Sequence, residues 1–543
     1  MTKENLTIKA SGNAGVPIID GQGQGRAFNV SSGGVLIQGL KITNTKSTSN
    51  SVGGGGILMA GSGSVSGCSF TNTTARYGGG VSILDEGNVT GCNFTNITTT
   101  GSGGGIYSGN GSVSGCSFTN ITTTGSGGGI YSGNGSVSGC SFTNITTTGS
   151  GGGIYFDGDS GLINSSVSGC NFTNITNSDG SGGININGGS VSGCNFINIT
   201  TTGSGGQPAV GGIIFEDYYG GSSVSGCSFT NTTANGDGCG GILMAGSGSS
   251  VSGCSFTNTT ANGDGYGGIF MVNSGCSVVF NRFVNNTNNG VMVGNGVTCL
   301  SSCNVSSNWW GNNTPQSITN GVMDDYYQVE LSANQISTRN LNNSSVNGFI
   351  PVPLGYKMCL NGSNNKGNIS NLPDFNATTK LNNLFRSNNN FRSDIGLLRF
   401  SHFMSPGDSF NVLAKSPWND TINNPGNYTF SVLVDNQQLN INITAAEKMN
   451  TSLSLIAANI TYGDNTNITA TLTSSNGTLL TNKNLTFNIN GTNHTATTNG
   501  SGVATLNISG LHAGSYNVSV SFNGDDDHNP STNNTTFNIE SFY

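Results

Sequence analysis

The 543-residue chain is poor in charge: Lys and Arg total 17, Asp and Glu 25, and charged residues make up 8% of it, against roughly a quarter in an ordinary globular chain. No Lys or Arg occurs between Arg76 and Arg282. A surface without clustered cations has no electrostatic hold on phosphate, which excludes nucleic acid and anionic membrane surfaces as partners of that stretch. No run of about 18 apolar residues exists, so no insertion into a membrane as a helix is expected. The N-terminus lacks the charged and apolar regions of a secretory signal. Because Asn5–Ile8 already reads as strand and Val35–Asn44 as a full repeat, the N-terminus is expected to lie inside a longer architecture.

What is abundant is glycine, 87 residues, together with Asn, Ser and Thr. Polarity with low charge suits disorder, yet the apolar residues recur at fixed spacing, which a disordered tract has no reason to keep. Residues 101–124 recur without a change at 125–148, and degenerate copies extend on both sides. Each unit holds two strand cores, Gly-Gly-Ile-x-x and Val-Ser-Gly-Cys-x-Phe-Thr-Asn, separated by polar turns, with no helical periodicity.

Side chains alternate across a strand, so Cys68, Phe70 and Asn72 share one face with their later counterparts, among them Phe118, Phe142, Asn120 and Asn144. Ile57/Met59, Val81/Ile83 and their equivalents give the other strand an inward face too. Spacings of 24 to 33 residues fit one coil of a β-solenoid, each strand pairing in parallel with its copy one coil away. About ten coils at ~4.8 Å each predict a rod on the order of 50 Å long. The inward asparagines are expected to form an amide ladder that satisfies the backbone at the bend. One coil buries roughly five apolar side chains worth about 1.5–3 kcal/mol each, against about 1 kcal/mol or more for each of some 24 ordered backbones. A lone coil therefore cannot fold, and stability must reside in the stacking.

Thirteen cysteines suggest a disulfide framework, but eight of them sit at one position of the repeat: Cys68, Cys92, Cys116, Cys140, Cys170, Cys194, Cys227 and Cys254. Stacked on parallel strands, their Cβ atoms lie ~4.8 Å apart, beyond the ~3.5–4.5 Å of a disulfide. Buried free thiols packing as small apolar groups are expected, rather than metal or redox sites. Cys299 and Cys303 lack the histidine or second pair of a zinc site, so a local disulfide or no bond is expected there. No metal and no cofactor is implied.

The repeat fades at Asn281–Asn285, and Asn308-Trp-Trp-Gly-Asn312 reads as a cap, with sugar stacking on Trp309 or Trp310 as the alternative. From residue 317 alternating strands such as Tyr327–Leu331 and Tyr428–Val434 continue without the repeat. From about 448 short strands with Asn-Gly turns read as a β-sandwich, with Tyr516 a candidate corner tyrosine and Asp525–Asp527 a solvated turn rather than a calcium site. The expected division is a capped β-helix over 1–316, a sandwich-like spacer over 317–447 and an Ig-like domain over 448–543.

Together the GGGI and FTN repeats, the NWWGN segment and the C-terminal GLHAGSYNVSVSFNGDDDHNPSTNN stretch resemble the adhesin-like surface proteins of methanogenic archaea over nearly the whole chain. The repeats are also similar to those of chlamydial polymorphic outer membrane proteins, and the last domain resembles bacterial Ig-like repeats. The resemblance implies an all-β chain: a right-handed parallel β-helix of pectin-lyase-like type, exported to the cell surface, with Ig-like modules spacing it from the envelope. It implies no defined ligand. The chain departs from that family in showing neither a signal peptide nor a recognisable anchor.

A binding site on a solenoid needs an outward stripe, and the residue after each Gly-Gly-Ile isoleucine supplies one: Leu58, Ser82, Tyr107, Tyr131, Tyr155, Asn185, Ile214, Leu243 and Phe270. This ridge, above all Tyr107, Tyr131, Tyr155, Leu243 and Phe270, is a candidate contact surface for a glycan or surface protein of another cell or of the host. The plainer reading is β-propensity on a half-covered face. A polysaccharide lyase or hydrolase needs paired carboxylates, or a base with a cation. The repeats hold no His and only scattered acids, Asp85/Glu86, Asp157/Asp159 and Glu216/Asp217, so display and binding, or an inert stalk, is expected over catalysis. Sequons at the ladder, such as Asn96-Ile-Thr98, are expected to be closed, and outward ones such as Asn93-Phe-Thr95 open to glycans. The oligomeric state is left open.

Overall fold

The computed structural model describes residues 2–541 apart from 12–14, 52, 159–164, 204–206, 217–219, 264, 289–290, 293–296, 316–320, 334–352, 362–366, 383–396, 405–409, 414–425, 446–447 and 526. The N-terminal part is a parallel β-solenoid of about 10 turns. One sheet takes the isoleucine strands and the Val-Ser strands (Ile57–Met59 and Gly63–Ser66 in one coil), which run on as a single strand in Val81–Thr90, Ile106–Ser114 and Ile130–Ser138. The other takes the Phe-Thr-Asn strands, such as Asn93–Thr99 and Ser117–Thr123. Pairing is like on like: Ile106 on Ile130, Val113 on Val137, Phe118 on Phe142.

Nine phenylalanines from Phe70 to Phe283 stack along the rod with ring centroids 4.7–5.0 Å apart and planes within 9° of parallel. That distance is the strand spacing itself, and it holds the rings as an offset stack. Ile42 sits beneath Phe70, and Trp310 closes the column 4.8 Å from Phe283. Trp309 and Trp310 are both buried, which removes their faces from any sugar. The second glycine of each Gly-Gly pair is forced by this column: a Cβ on Gly105 would lie 2.6 Å from the Phe118 ring.

The asparagine ladder forms, but on the opposite side from that expected. Asn72, Asn96, Asn120, Asn144 and their counterparts to Asn285 hold φ at 53–55°, a left-handed conformation that asparagine tolerates better than most side chains. That one residue breaks the alternation. The asparagine is exposed, and the following Ile97, Ile121, Ile145, Ile175 or Ile199 enters the core instead. On the outside of the bend each Nδ2 donates to the Oδ1 of the preceding coil at 3.1–3.4 Å, from Asn258 back to Asn44, and Asn44 donates to Asp20 at 3.2 Å. Asn96 is therefore open to solvent, not closed, although its amide is engaged.

All thirteen cysteines are free and buried. The eight-membered column is more than apolar filling. Each Cys follows a left-handed glycine, such as Gly67 or Gly91 at φ 57° and 60°, and its backbone N–H donates to the sulfur of the cysteine one coil on, at 3.3–3.4 Å from Cys68 through Cys227. The Cys68 thiol in turn donates to the Ser66 carbonyl at 3.4 Å. Beyond Cys254 the same slot holds Asn281 and Asn308, whose Oδ1 atoms accept the N–H groups of Cys254 and Asn281 at 2.8 Å. The position calls for an acceptor, because a buried backbone donor left unpaired at the corner is costly. Hydrogen bonding to Cys140 raises the Cys116 thiol to about 12, burial adding to this against the lowering effect of Cys92.

After the rod come two antiparallel sheets. One contains Tyr327–Ala333, Pro353–Leu360 and Phe410–Leu413; the other contains Leu397–Met404, Phe375–Asn382, Gly426–Val434 and Gln437–Ala445. The turn of the last hairpin plugs the rod. Asp435 accepts Arg282 Nε at 2.9 Å, Arg282 Nη2 at 2.5 Å and Trp309 Nε1 at 2.7 Å. Asn436 donates its backbone N–H to Gly311 at 3.0 Å and its Nδ2 to Asn285 at 2.8 Å, docking as one more rung of the ladder. The C-terminal domain packs sheets of three and five strands around Phe487, Val520 and Phe537.

Candidate binding face

Tyr107, Tyr131 and Tyr155 stand in a row, half-buried, with ring centroids 4.9 and 5.4 Å apart. Tyr77 extends the row at 5.4 Å from Tyr107, tilted by 52°, and carries the Arg76 guanidinium 5.1 Å above its ring. Sequence reasoning missed Tyr77, because it lies in the turn before a Gly-Gly pair rather than after an isoleucine. Within the row the ring faces are turned to one another, so it presents edges and hydroxyls. The Tyr131 hydroxyl donates to the Asp157 carboxylate. Burial first, then Glu216 and Asp157, push Tyr155 up to about 12, and burial with Asp157 raises Tyr131 further. The phenols stay neutral donors at physiological pH.

The rest of the stripe, Phe270 apart, is not a surface. Ser82 and Asn185 are buried, as are Leu58, Ile214 and Leu243, the last at 8% exposure. Leu243 belongs to a satellite cluster with Val210, Ile214 and Cys239, against which Tyr266 and Phe270 pack. From Asn185 on, the residue ahead of the Gly-Gly pair supplies the cover, whereas Leu58 and Ser82 are buried although Gly54 and Gly78 stand there. In the tyrosine coils it is Gly103, Gly127 or Gly151, held at φ 69–70° without a side chain. In later coils it is Ser181, Val210, Cys239 or Tyr266, which pair in parallel as a short extra ladder and lay their side chains over the stripe. Leu243 is therefore covered, and Phe270 is partly covered by Tyr266 at 4.4 Å.

Beside the tyrosines, five successive coils line a groove of ≈ 710 Å³, from Gly34 through Asn88 and Asn110 to Ser136. Its floor is glycine backbone: a Cβ on Gly111 or Gly135 would lie 1.8 Å from the carbonyl oxygen of the glycine one coil back. Asn88 Oδ1 accepts the Ser112 hydroxyl at 2.6 Å, and Asn110 Oδ1 accepts the Asn134 N–H at 3.1 Å. Gly158 lies against the Asn134 amide, so its neighbour Asp157 joins the groove's end to the tyrosine row. The repeated Asn-Gly-Ser at 110–112 and 134–136 was the sequence signal for this trough. Of the scattered acids, Glu86 lines the groove and Glu216 accepts Asn185 Nδ2 at 2.8 Å; Asp159 and Asp217 lie outside the described residues. Among the described residues no three His, Cys, Asp or Glu side chains gather to hold a metal, and no helix is long and apolar enough to cross a membrane.

Residues 453–540 match the bacterial Ig-like domain family, group 3. In this Ig-like domain the Tyr516 hydroxyl donates to the His512 carbonyl at 3.0 Å, closing a tyrosine corner. Asn490 and Gly491, both at positive φ, make a type I′ hairpin turn. Asp525 is not merely solvated: it pairs with Lys483 Nζ at 2.5 Å and His528 Nδ1 at 2.8 Å. Burial opposes its ionisation, but Lys483, the Asp527 amide and His528 hold its carboxyl well below the usual range.

No curated protein matches the sequence. Solved structures similar to the chain include a 1.5-MDa bacterial ice-binding adhesin, with 16% identity over 39% of this chain and 64% of that one and a TM-score of 0.24. Fibronectin(III)-like modules of Clostridium thermocellum CbhA match at 11% identity, over 39% of this chain and 95% of theirs, with a TM-score of 0.21. Domains 4 and 5 of the S-layer protein SbsC match at 16%, over 39% and 98%, with a TM-score of 0.18. The chain thus spans just under two thirds of the adhesin structure's length.

Proposed function

We propose that the chain is a binding rod displayed at a cell surface, whose contact face is the Tyr77, Tyr107, Tyr131 and Tyr155 row with the groove beside it. Its ligand is a glycan or surface protein of another cell or of the host. The observation that carries this reading is a half-exposed aromatic row on a solenoid that buries most of the equivalent side chains elsewhere. Surface display rests on the resemblance of the repeats and on the group 3 Ig-like domain behind them. The reading is of binding rather than catalysis: Asp157 is engaged by Tyr131, and Glu86 is the carboxylate of the groove lining. An inert stalk is the second reading, favoured by the tyrosines' stacking on one another, which occupies the ring faces a sugar would use.

The test is a glycan-array and whole-cell binding screen of the purified chain beside its Tyr107→Ser/Tyr131→Ser/Tyr155→Ser variant, with reducing-sugar release followed in parallel. Saturable binding lost in the variant without sugar release supports the proposal. Binding that survives in the variant removes the ridge, and the absence of any binding favours the stalk.

A further inference from the structure

We infer that the groove takes a neutral, linear, polyhydroxylated glycan laid along the rod axis, and discriminates against chains bearing uronate or sialate carboxylates. This rests on the proposed binding role and names the ligand class at that face. Direction comes from the coils. The groove crosses five of them, and neighbouring rungs offer identical groups, Asn110 and Ser112 on one and Asn134 and Ser136 on the next, in register. A glycine-floored trough about 19 Å long, with two identical rungs about 4.8 Å apart, suits an extended polymer better than a single compact molecule, and its volume lies within the ~300–1,000 Å³ of ordinary ligand sites.

Polarity comes from the hydrogen bonds already made. Asn88 and Asn110 spend their Oδ1 atoms on Ser112 and Asn134, which leaves amide N–H groups and serine oxygens to meet hydroxyls. The glycine floor keeps side chains out of the trough, as its close carbonyl contacts require. Three residues ahead of Asn110 and Asn134 on the same strands, outside the lining, Tyr107 and Tyr131 add phenols and apolar ring edges, the mixed surface that a sugar's hydroxyl rim and C–H face demand.

Charge selectivity comes from what lines and borders the site. Glu86 is in the lining, which contains no Lys or Arg, Asp157 precedes the Gly158 that abuts Asn134, and no Lys or Arg occurs between Arg76 and Arg282. Arg76 itself is turned to the Asn50 carbonyl at 2.7 Å and to the Tyr77 ring. A carboxylated sugar would meet uncompensated like charge and find no cation to hold it.

The experiment is titration of the full chain with matched neutral and uronic oligosaccharides of equal length, at low and moderate salt, for the native protein, Glu86→Gln and Asn110→Lys. Both changes are at exposed positions, and unchanged thermal unfolding verifies the fold. The expected result is binding of a neutral oligomer, with the uronic counterpart about tenfold or more weaker at low salt. Glu86→Gln should narrow that gap by raising the affinity for the uronic ligand, and Asn110→Lys should abolish neutral binding. Equal or tighter binding of the uronic chain overturns the inference while leaving a glycan-binding rod. Saturable cell binding lost in the tyrosine variant, with no glycan of either kind bound, overturns it in favour of a protein ligand.

Discussion

The joint between rod and second domain turns on one carboxylate. Asp435 is 6% exposed and Arg282 15%, and the pair is bidentate, with the Trp309 indole as a third donor. Replacing Asp435 with Ala leaves Arg282 only the Ser255 and Thr257 hydroxyls, at 2.8 and 2.9 Å, and strands the indole N–H. Removing one partner of a largely buried pair costs about 3–5 kcal/mol; with Arg282 still reaching solvent, the lower end, about 3 kcal/mol, is expected. The loss should appear as local opening rather than global unfolding. Amide hydrogen exchange through Arg282–Val284 and Trp309 should accelerate by roughly a hundredfold, while the Phe94–Phe172 coils exchange as before. An Arg282→Met change made with it should restore part of the loss, since no buried charge is then left alone. Exchange in the last coil unchanged by Asp435→Ala, or a double variant worse than additive, would refute the idea that the hairpin caps the rod.

Other consequences are open to measurement. Phe118→Ala, removing one ring from the column, should cost about 3–5 kcal/mol by chemical unfolding. Thiol titration should find none of the 13 cysteines reactive in the native protein and all of them after denaturation; fast native labelling would contradict the buried column. Cys254→Asn should be tolerated because Asn281 does the same work one coil on, whereas Cys254→Val leaves the Cys227 N–H unpaired at about 1–3 kcal/mol; equal melting temperatures for the two would dispose of the acceptor role. The depressed Asp525 carboxyl contributes stability that is present above its unfolded value near ~4 and lost as pH falls toward its folded one. The Ig-like domain should therefore weaken below about pH 4, and Asp525→Asn should lower its melting temperature at neutral pH while flattening that acid dependence.

How far the sequence could be read depended on whether a feature repeats. The phenylalanine column, the isoleucine faces and the Ig-like strands were legible because each recurs at a spacing that only stacking or alternation explains. The asparagines were assigned to the wrong side because alternation was carried through a residue whose backbone turns left-handed, a choice that side-chain periodicity does not record. Leu243 was taken for an outward residue because its cover comes from Val210 and Cys239, ahead of the glycine pair, where the tyrosine coils have no side chain. The sulfur's duty as an acceptor showed only when Asn281 and Asn308 were found in the same slot. The capping hairpin could not be read at all, since Arg282 and Asp435 lie 153 residues apart.

The exposed asparagine ladder has a direction. Every side-chain amide from Asn44 to Asn258 points its N–H groups toward the N-terminal coils, so their dipoles add rather than cancel, as peptide dipoles do along an α-helix. The ladder thus carries a positive pole at its first coils and a negative one at its last. Asp20, which takes the final N–H at the positive pole, stands where an acidic residue stands at the start of a helix. In the last coil the Asn285 oxygen accepts the Asn436 amide at 2.8 Å, so the incoming hairpin meets the rod with the same donor-to-acceptor sense as the ladder.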